Sequence, residues 1–516
     1  MPIARVRHAM LAAAVLAAAA VPLAADVTLA YPVPKICAES ADCAGNAEMV
    51  RCSAWPDPFP ANGIVLLRCD GERMAEAAAE RVAANGLHGR VVVAASPDTV
   101  VPVAKRHPEM EFCMVGTKPG AKGTVPIDVL DREIFSAISN RIGYYEAAVP
   151  LPDVFSIQMH DSGVKTIGPL PAADDVQAAA DMGVKYVVSR DVARTRRALA
   201  ALKRKMEGPV SRRDFRVRDP FILADADTRT YYSYETTPWN TGRGVNVRTS
   251  KDLETWSAPR QVMAMPPEFR TRSVWAPEVH RHNGAYYLFA TPTLEPDPRF
   301  PIKAMPCDGD SGWAPPKRHA LTRRGTWIWK ANSPLGPFRP LSDMSATPHD
   351  EMALDGTLVI EDGVPWMVYC HEWTQTKIGK MKVARLSDDL SRIVGAPIEV
   401  FRADVAFGDG RVTDGPFCWR TKTGKLLMTW SKFANVNGKR AYVVIQCESL
   451  SGRVCGPWAN HRIVCPDNGG HGMIFHAFDG TTKLVLHMPE RRGWERMAFL
   501  DVNDETDTLV VDRTAK

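Results

Sequence analysis

The stretch TDGPFCWRTKTGKLLMTWS, residues 413–431, shows the plan on which the second half of this 516-residue chain is built. An acidic residue beside Gly and Pro precedes a short apolar strand, a Thr-Gly turn and an aromatic-rich strand. The same plan recurs in RDPFILADADTRTYYSYET from Arg218, APEVHRHNGAYYLFAT from Ala276, LDGTLVIEDGVPWMVYCH from Leu354 and GHGMIFHAFDGTTKLVLHM from Gly470. The five segments start roughly 58 residues apart, with one gap longer by about 20, and this period predicts an all-β five-bladed propeller over residues 214–516.

Three of these segments begin with a carboxylate: Asp219, Asp355 and Asp414. We expect the first strand of each blade to line the central channel, so that residues at equivalent starts converge on one face. Like charges in a recess raise one another's pKa. One group can then stay protonated to donate to a leaving oxygen while another stays ionised to activate water, which is what glycoside cleavage requires.

These motifs resemble glycoside hydrolase family 43, which contains five-bladed arabinofuranosidases, xylosidases and arabinanases. RDPF, VWAPEV, ALDGTL and GGHGMIF match that family's order and phase. The resemblance implies inverting cleavage of a terminal pentose (arabinofuranoside or xyloside) or related sugar from a glycan. It makes Asp219 the general base and Asp355 the residue that orients the acid. Asp414 stands where the family usually has Glu, so the implied general acid is one methylene shorter.

Other polar and aromatic residues are candidates for holding the sugar or a metal. The candidate substrate-binding residues are Trp239, Trp275, Glu278, His371 and Glu372. Glu278 has a structural role as its alternative, and His371 with Glu372 has a buried polar pair as its alternative. His471 matches a family histidine near the propeller axis that contacts a central calcium through water, although one histidine is not a metal motif. No organic cofactor is implied.

Residues 31–206 have a different rhythm. The strand-like runs GIVLLRC, RVVVAAS and MEFCMVG alternate with the helix-like runs ERMAEAAAERVAANG and PDTVVPVAKRHPE. This alternation predicts an α/β domain with a parallel sheet, open or curled into part of a TIM-like barrel, with no strand before Gly63. The run LLRCDGERMAEAAAERVAANGLHGRVVVAAS resembles the later part of a glycerophosphodiester phosphodiesterase barrel. That family's His and Glu set has no match here, so a non-catalytic domain is predicted.

Residues 1–25 are predicted to be a signal peptide, because a basic start precedes a short apolar run and small residues. We therefore expect a secreted or periplasmic protein without a membrane span, in which eleven cysteines form one or two disulfides besides buried thiols. The net charge is +5, but Arg5 and Arg7 lie in this segment, and the nearly neutral balance of the remaining chain argues against nucleic acid as the main partner. The expected partner is an oligo- or polysaccharide, and the oligomeric state is left open.

Two alternatives stay open at this point. Aspartate at position 414 is compatible with a propeller that binds glycans without cleaving them. A phosphodiesterase centre within residues 31–206 is the other alternative, and metal-dependent activity of that segment alone would favour it.

Overall fold

The computed structural model describes most of the chain, which divides into two compact units. Their boundary along the sequence lies between Gly208 and Pro209. The described residues are 35–39, 47–149 apart from 61 and 122, 164–169, 184–236, 244–266, 273–294, 297–315 apart from 308 and 311, 321–513 apart from 409, 492 and 493, and the isolated positions 151, 159, 176, 179, 269 and 271. None of the helices within these ranges is long and apolar enough to cross a lipid bilayer. The predicted signal peptide, residues 1–25, lies outside them.

The first unit is a closed barrel of parallel strands with helices between them. Its strands are β1 (Lys35–Ala38), β2 (Met49–Cys52), β3 (Ile64–Arg68), β4 (Val91–Ala95), β5 (Glu111–Val115), β6 (Tyr144–Glu146), β7 (Lys165–Pro169) and β8 (Tyr186–Ser189). Its helices are α1 (Glu72–Ala84), α2 (Pro97–Arg106), α3 (Ile127–Ser139) and α4 (Val192–Glu207). The parallel pairing of β1 with β8 closes the sheet, so the predicted barrel is complete rather than partial.

The strands β1 and β2 correct the prediction that no strand precedes Gly63. Each has four residues, which is too short for a periodic pattern to be visible in the sequence. In the longer β3 the alternation is clear: Leu66 packs inside the barrel, whereas Val65 and Leu67 pack in the cluster that includes the α1 residue Ala79. Local pattern therefore identified the longer strands and missed the two that complete the barrel.

The carboxyl ends of the barrel strands, where barrel enzymes carry their chemistry, hold an ion-pair cluster. Arg51 of β2 and Arg68 of β3 both pair with the buried Glu146 of β6, the second pair at 2.7 Å between Arg68 Nη2 and Glu146 Oε2. In the described part of this unit, no three His, Cys, Asp or Glu side chains are placed to hold a metal ion. A non-catalytic role for residues 31–206 stays a prediction.

The second unit is a propeller of five antiparallel sheets. Blade 1 contains β9 (Val210–Ser211), β10 (Phe221–Asp225), β11 (Thr230–Glu235), β12 (Gly244–Ser250), β13 (Thr255–Trp256) and β14 (Arg260–Ala264), and blade 2 contains β15 (Ser273–His282), β16 (Ala285–Leu294), β17 (Arg323–Arg324), β18 (Trp327–Ala331) and β19 (Arg339–Pro340). Blade 3 contains β20 (Ala353–Glu361), β21 (Val364–His371), β22 (Lys380–Leu386) and β23 (Ile393–Arg402), with the short helix α5 (Trp373–Thr376) after β21 and a 3-10 turn at Ala403–Val405. Blade 4 contains β24 (Asp414–Arg420), β25 (Leu426–Val436), β26 (Lys439–Ser449) and β27 (Trp458–Cys465), and blade 5 contains β28 (Gly470–His476), β29 (Thr482–Met488), β30 (Arg496–Asn503) and β31 (Val510–Asp512).

The innermost strands of the five sheets form a closed ring. Contacts run from β10 to β15, β20, β24 and β28 in turn, and β28 contacts β10 again. The prediction of a five-bladed propeller is therefore confirmed, and the start of each repeated segment lies at the centre of the molecule's second unit.

A buried ion pair joins the beginning of the propeller to its last blade. The guanidinium of Arg216 donates to both carboxylate oxygens of Glu495, with Nε–Oε2 at 2.8 Å and Nη2–Oε1 at 3.0 Å. The backbone N–H of Val217 also donates to the carbonyl of Glu495 at 3.2 Å. These bonds hold the segment before blade 1 against blade 5.

The cysteines do not follow the disulfide prediction. Ten of them lie in the described residues and none is bonded to another of the ten, while Cys43 lies outside the described residues. Cys447 and Cys465 occupy neighbouring strands, but Cys465 is opposite Val444 in the register, so the two thiols are offset along the sheet. The strand register keeps apart thiols that lie close in the sequence.

Candidate active site

Each innermost strand passes a backbone irregularity as it reaches the axis. In blades 2 to 5 a β-bulge interrupts its pairing with the second strand. One residue at each bulge has a left-handed backbone: Ala276, Asp355, Gly415 and His471 have φ of 42°, 57°, 51° and 50°, and Asp219 has φ of 49° at the start of blade 1. Bulges re-aim side chains, and left-handed non-glycine residues concentrate at functional sites. The repeated irregularity therefore brings Asp219, Asp355 and His471 together on the axis.

The bulges place Asp414 one residue earlier than the repeat in the sequence predicts. Gly415, not Asp414, corresponds to Asp219 and Asp355, so the three aspartates are not at equivalent positions. The shared Asp-Gly pair of ALDGTL and VTDGPF hides this offset in the sequence. Glycine is required at 415, because a Cβ there would lie 2.8 Å from Cδ2 of His471. Asp414 therefore lies one residue before the left-handed position, which Asp219 and Asp355 occupy in their own blades.

Asp219 lies among cationic and hydrogen-bonding groups. Its Oδ2 accepts a hydrogen bond from Thr236 Oγ1 at 2.6 Å, and its Oδ1 lies 3.4 Å from Nδ1 of both His471 and His487. Burial would raise the pKa of Asp219, but His471, Arg218 and His487 outweigh burial and hold that pKa well below its usual range. The carboxylate is therefore ionised at neutral pH.

Asp355 and Asp414 form the complementary, proton-holding part of the site. Asp355 Oδ2 accepts the Gly415 N–H at 3.0 Å, and Asp414 Oδ2 accepts the Tyr442 hydroxyl at 2.9 Å. Burial, followed by the charge of Asp414, raises the pKa of Asp355 well above its usual range. Asp414 keeps part of its surface open but lies deep in the protein, and this burial raises its pKa to about 7 against the opposing Tyr442 hydrogen bond. The pair can therefore hold a proton at neutral pH.

Four residues of this network were not predicted from the sequence: Arg218, Tyr442, His487 and Glu490. His487 Nε2 lies 2.5 Å from Glu490 Oε2, and Arg218 Nη1 lies 3.0 Å from the same carboxylate. Burial lowers the pKa of His487, but its bonds to Asp219 and Glu490 raise that pKa to about 9. Arg218 is adjacent to Asp219 in RDPF and could have been proposed from that proximity; Tyr442, on the third strand of blade 4, carries no sequence signal.

His487 also touches the other half of the network. Its Nδ1 lies 3.2 Å from the backbone nitrogen of Asp219, and its ring stacks on that of Tyr442 with centroids 5.8 Å apart. A neutral ring would accept the Asp219 amide proton, whereas a protonated ring donates to the carboxylate. The raised pKa of His487 favours the protonated ring at neutral pH. Its Nδ1 then interacts with the Asp219 carboxylate, 3.4 Å away, and not with the Asp219 amide.

Two of the five predicted substrate-binding residues form a group with a basic residue from blade 2. The guanidinium of Arg324 lies 4.1 Å from the ring centroid of Trp275, and its Nη1 pairs with the carboxylate of Glu372. The charge of Glu372 contributes to the raised pKa of Asp414, so this group lies near Asp414. An aromatic face and two polar groups at this place can contact a sugar.

The other three predicted substrate-binding residues are Glu278, His371 and Trp239. Glu278 is buried with its Oε2 2.9 Å from Nε2 of His280, and His371 is buried with its Nε2 2.8 Å from Oε1 of Gln375. Glu278 fits the structural alternative, in which buried polar groups satisfy one another, whereas His371 bonds Gln375 instead of Glu372 and its Nδ1 has no hydrogen-bond partner among the described residues. Trp239 lies outside the described residues.

Calcium binding near His471 has to be judged from the donors around it. Calcium takes roughly six to eight oxygen ligands. Nδ1 of His471 faces carboxylate oxygens of Asp219 and Asp355 at 3.4 and 3.8 Å, and the narrow cavity beside them has a volume of about 10 Å³, room for about one water. Across the propeller residues that the structure describes, no three His, Cys, Asp or Glu side chains are placed so that they could hold a metal ion. The donors do not fit a directly bound calcium and no step is assigned to one, while a contact of His471 with calcium through water stays a prediction.

Comparison with known proteins gives consistent results. Residues 208–503 match the family model of glycosyl hydrolases family 43. The extracellular exo-α-(1→5)-L-arabinofuranosidase of Cellvibrio japonicus is 22% identical over 312 residues, which are 53% of this chain and 79% of that protein. An endo-arabinase structure from Bacteroides thetaiotaomicron is 33% identical, with a TM-score of 0.48 over 57% of this chain and 96% of that chain. A Cellvibrio cellulosa α-L-arabinanase with arabinohexaose is 17% identical, with a TM-score of 0.42 over 58% and 96%.

The segment that matches the family model is more than half of the chain. It contains the innermost strands of all five blades and the three axial aspartates, Asp219, Asp355 and Asp414. The chain therefore belongs to glycosyl hydrolases family 43 and is a glycoside hydrolase.

Proposed function

We propose that the propeller hydrolyses terminal arabinofuranosides of an arabinose-containing glycan with inversion, with a terminal xyloside or related sugar as the alternative substrate. The observation that carries this proposal is the opposite protonation of two carboxyl groups in one site. Asp219 is kept ionised by the cationic Arg218 and His487, while burial favours a proton on the pair formed by Asp355 and Asp414. Glycoside hydrolysis needs one carboxyl group in each state.

The reaction follows from these protonation states. Asp219 takes a proton from a water molecule as that water attacks the anomeric carbon from the face opposite the leaving group. Asp414 gives its proton to the glycosidic oxygen as the bond to the anomeric carbon breaks. Asp355 accepts the Gly415 amide next to Asp414 and so orients the acid. The shorter aspartate side chain is fixed by the hydroxyl of Tyr442.

The choice of arabinose is supported by the activity of the similar Cellvibrio japonicus protein, an exo-α-(1→5)-L-arabinofuranosidase. The group formed by Trp275, Arg324 and Glu372 supplies the surface on which the sugar would be held. The roles of these residues, and of the three aspartates, are part of the proposal.

The test compares the wild-type protein with Asp219→Asn and Asp414→Asn on nitrophenyl α-L-arabinofuranoside, nitrophenyl β-D-xyloside and unsubstituted (1→5)-arabino-oligosaccharides. Nitrophenolate leaves without protonation, so Asp414→Asn should lose about 10²–10⁴-fold on oligosaccharides and much less on the nitrophenyl sugar. Asp219→Asn should lose activity on both. NMR of the first product formed should show the inverted anomer.

The same experiment distinguishes the proposed enzyme from a propeller that binds glycans without cleaving them. Such a protein would bind arabino-oligosaccharides in calorimetry and release no sugar, and neither substitution would change a rate. Equal losses of Asp414→Asn on both substrate types would remove Asp414 from the role of acid.

We also propose that the protein is exported to the periplasm or the medium. The proposal is supported by the basic and apolar pattern of residues 1–25 and by the similar arabinofuranosidase, which is described as extracellular. Cell fractionation with N-terminal sequencing tests it: a mature protein beginning near residue 26 in the exported fraction is expected, and a full-length cytoplasmic protein would contradict it.

A further inference from the structure

A ring of hydrogen bonds links neighbouring blades around the axis. In three junctions a hydroxyl on or directly after the second strand of one blade accepts the backbone N–H of the left-handed residue in the next blade. Thr236 Oγ1 accepts Ala276 N–H at 2.9 Å, Thr291 Oγ1 accepts Asp355 N–H at 3.1 Å, and Ser431 Oγ accepts His471 N–H at 2.9 Å. At the junction of blade 5 with blade 1 the corresponding side chain is His487, whose Nδ1 lies 3.2 Å from Asp219 N and, when protonated, donates to the Asp219 carboxylate instead.

The donors and acceptors of this ring occupy corresponding positions. The second-strand residues Thr291, Ser431 and His487 are paired in the sheet with Trp275, Asp414 and Gly470, each of which directly precedes a left-handed residue. In blade 3 the residue paired in the same way is Cys370, opposite Leu354. Cys370 is therefore the acceptor that the pattern assigns to the Gly415 N–H.

The junction between blades 3 and 4 departs from the pattern. A thiol sulfur is a weak acceptor compared with a hydroxyl oxygen. The Gly415 N–H donates instead to Oδ2 of Asp355 at 3.0 Å. Cys370 is fully buried, and the charges of both Asp355 and Asp414 act on its thiol, so the side chain lies beside these carboxyls.

We propose that Cys370 is a positioning residue: because its thiol does not take the Gly415 amide, that amide holds the Asp355 carboxylate beside Asp414. The inference rests on the proposed function of Asp414 as the acid. With a hydroxyl at position 370, the amide would be bound as at the other junctions and Asp355 would be released. Loss of this bond disfavours ionised Asp355, so the proton that the two carboxyls share shifts from Asp414 to Asp355 and less of the acid is protonated.

Other titratable and charged groups also face the two carboxyls and act on the same equilibrium. They are Arg218 and Asp219 before β10, Glu278 of β15, Cys370 of β21, Glu372 after β21, Tyr442 of β26 and His471 of β28. A substitution at 370 changes none of the other side chains, but it also changes the hydrogen bond of Cys370 with Thr413, so Cys370→Ala is needed to separate the Gly415 bond from the loss of the thiol.

The test uses the full chain with Cys370→Ser, Cys370→Ala and Cys447→Ser. Cys447→Ser is the matched control, because Cys447 is a fully buried thiol of blade 4 whose Sγ lies 3.7 Å from the carbonyl of Met428. For Cys370→Ser we expect kcat to fall about tenfold with KM unchanged, because Asp355 now holds the shared proton, and the alkaline limb of the kcat profile to move up by about one pH unit, because the pair keeps that proton to a higher pH. Cys370→Ala offers no acceptor and should keep the limb in its wild-type position, as should Cys447→Ser.

A structure of Cys370→Ser gives a readout that does not depend on activity. We expect the new hydroxyl oxygen within about 3.2 Å of Gly415 N and the Asp355 carboxylate moved away from that nitrogen. If the Gly415 amide stays on Asp355, or if the limb does not move in an active variant, the role of Cys370 is overturned. A wild-type protein that cleaves no glycoside would overturn the proposed function instead, and the hydrogen-bond exchange would still be decided by the structure.

Discussion

The hydroxyl of Tyr442 donates a hydrogen bond to Oδ2 of Asp414 at 2.9 Å. The ring of the same tyrosine stacks on His487, whose Nδ1 lies 3.4 Å from Oδ1 of Asp219. One aromatic side chain of blade 4 thus connects the proposed acid with the network that surrounds the proposed base. A buried network of this kind fixes the geometry of both carboxyl groups.

Removal of this hydroxyl should change the protonation of the acid. A hydrogen bond from Tyr442 favours ionised Asp414 and opposes the increase in its pKa that burial causes. A bond to a charged group is worth about 1.5–3 kcal/mol, so Tyr442→Phe should move the alkaline limb of the kcat profile up by about one pH unit. Tyr234→Phe is the control, since its buried hydroxyl donates to the carbonyl of Pro334 at 2.6 Å. An unchanged limb in Tyr442→Phe would contradict the assignment of Asp414.

The protonation of His487 should be visible in the pH dependence of stability. Its pKa is raised from an ordinary value of 6.5 to about 9 in the folded protein. The stabilisation that protonated His487 gives to the folded protein is therefore fully present below pH 6.5 and is lost as the pH rises through 9. Urea unfolding of wild type and His487→Gln between pH 6 and 10 should show a steeper loss in the wild type. Parallel curves would show that His487 is not protonated in the folded state.

Removal of one partner of the ion pair that joins the first and last blades should strongly lower the free energy of unfolding. Arg216 and Glu495 are buried together and Arg218 also pairs with Glu495, so Glu495→Ala takes a buried carboxylate from two arginines and should lower the free energy of unfolding by about 3–5 kcal/mol. The matched control is Glu505→Ala, which removes an exposed pair with Lys422 and should cost less than about 1 kcal/mol. The urea transition followed by tryptophan fluorescence measures both, and equal losses would show that burial does not set the cost.

Chelation should have little effect on this enzyme. The carboxylates beside His471 face His471 itself and leave room for about one water. We expect EDTA to leave both the melting temperature and the rate of sugar release unchanged, and elemental analysis to find less than one calcium per chain. A fall in melting temperature that calcium restores and magnesium does not would show that the axis binds calcium.

The sequence by itself determined the architecture of the propeller and the location of its three aspartates. A repeated strand-turn-strand plan is a local property of the chain, so the period gives the number of blades, and the start of each repeat gives the residues at the axis. Asp219 and Asp355 lie where this reasoning places them, and the family motifs are contained in the same short segments.

Only the tertiary structure decided the register and the charge of the site. The bulges, which depend on pairing between strands, shift Asp414 by one residue and give its place to Gly415. The partners of Asp219 come from the other end of the propeller, since His487 is 268 residues away. The protonation of each carboxyl follows from burial and from these distant cations, which no local pattern contains. The residues that bear the chemistry could therefore be located from the sequence, whereas their state depends on contacts that exist only when the ring of blades is closed.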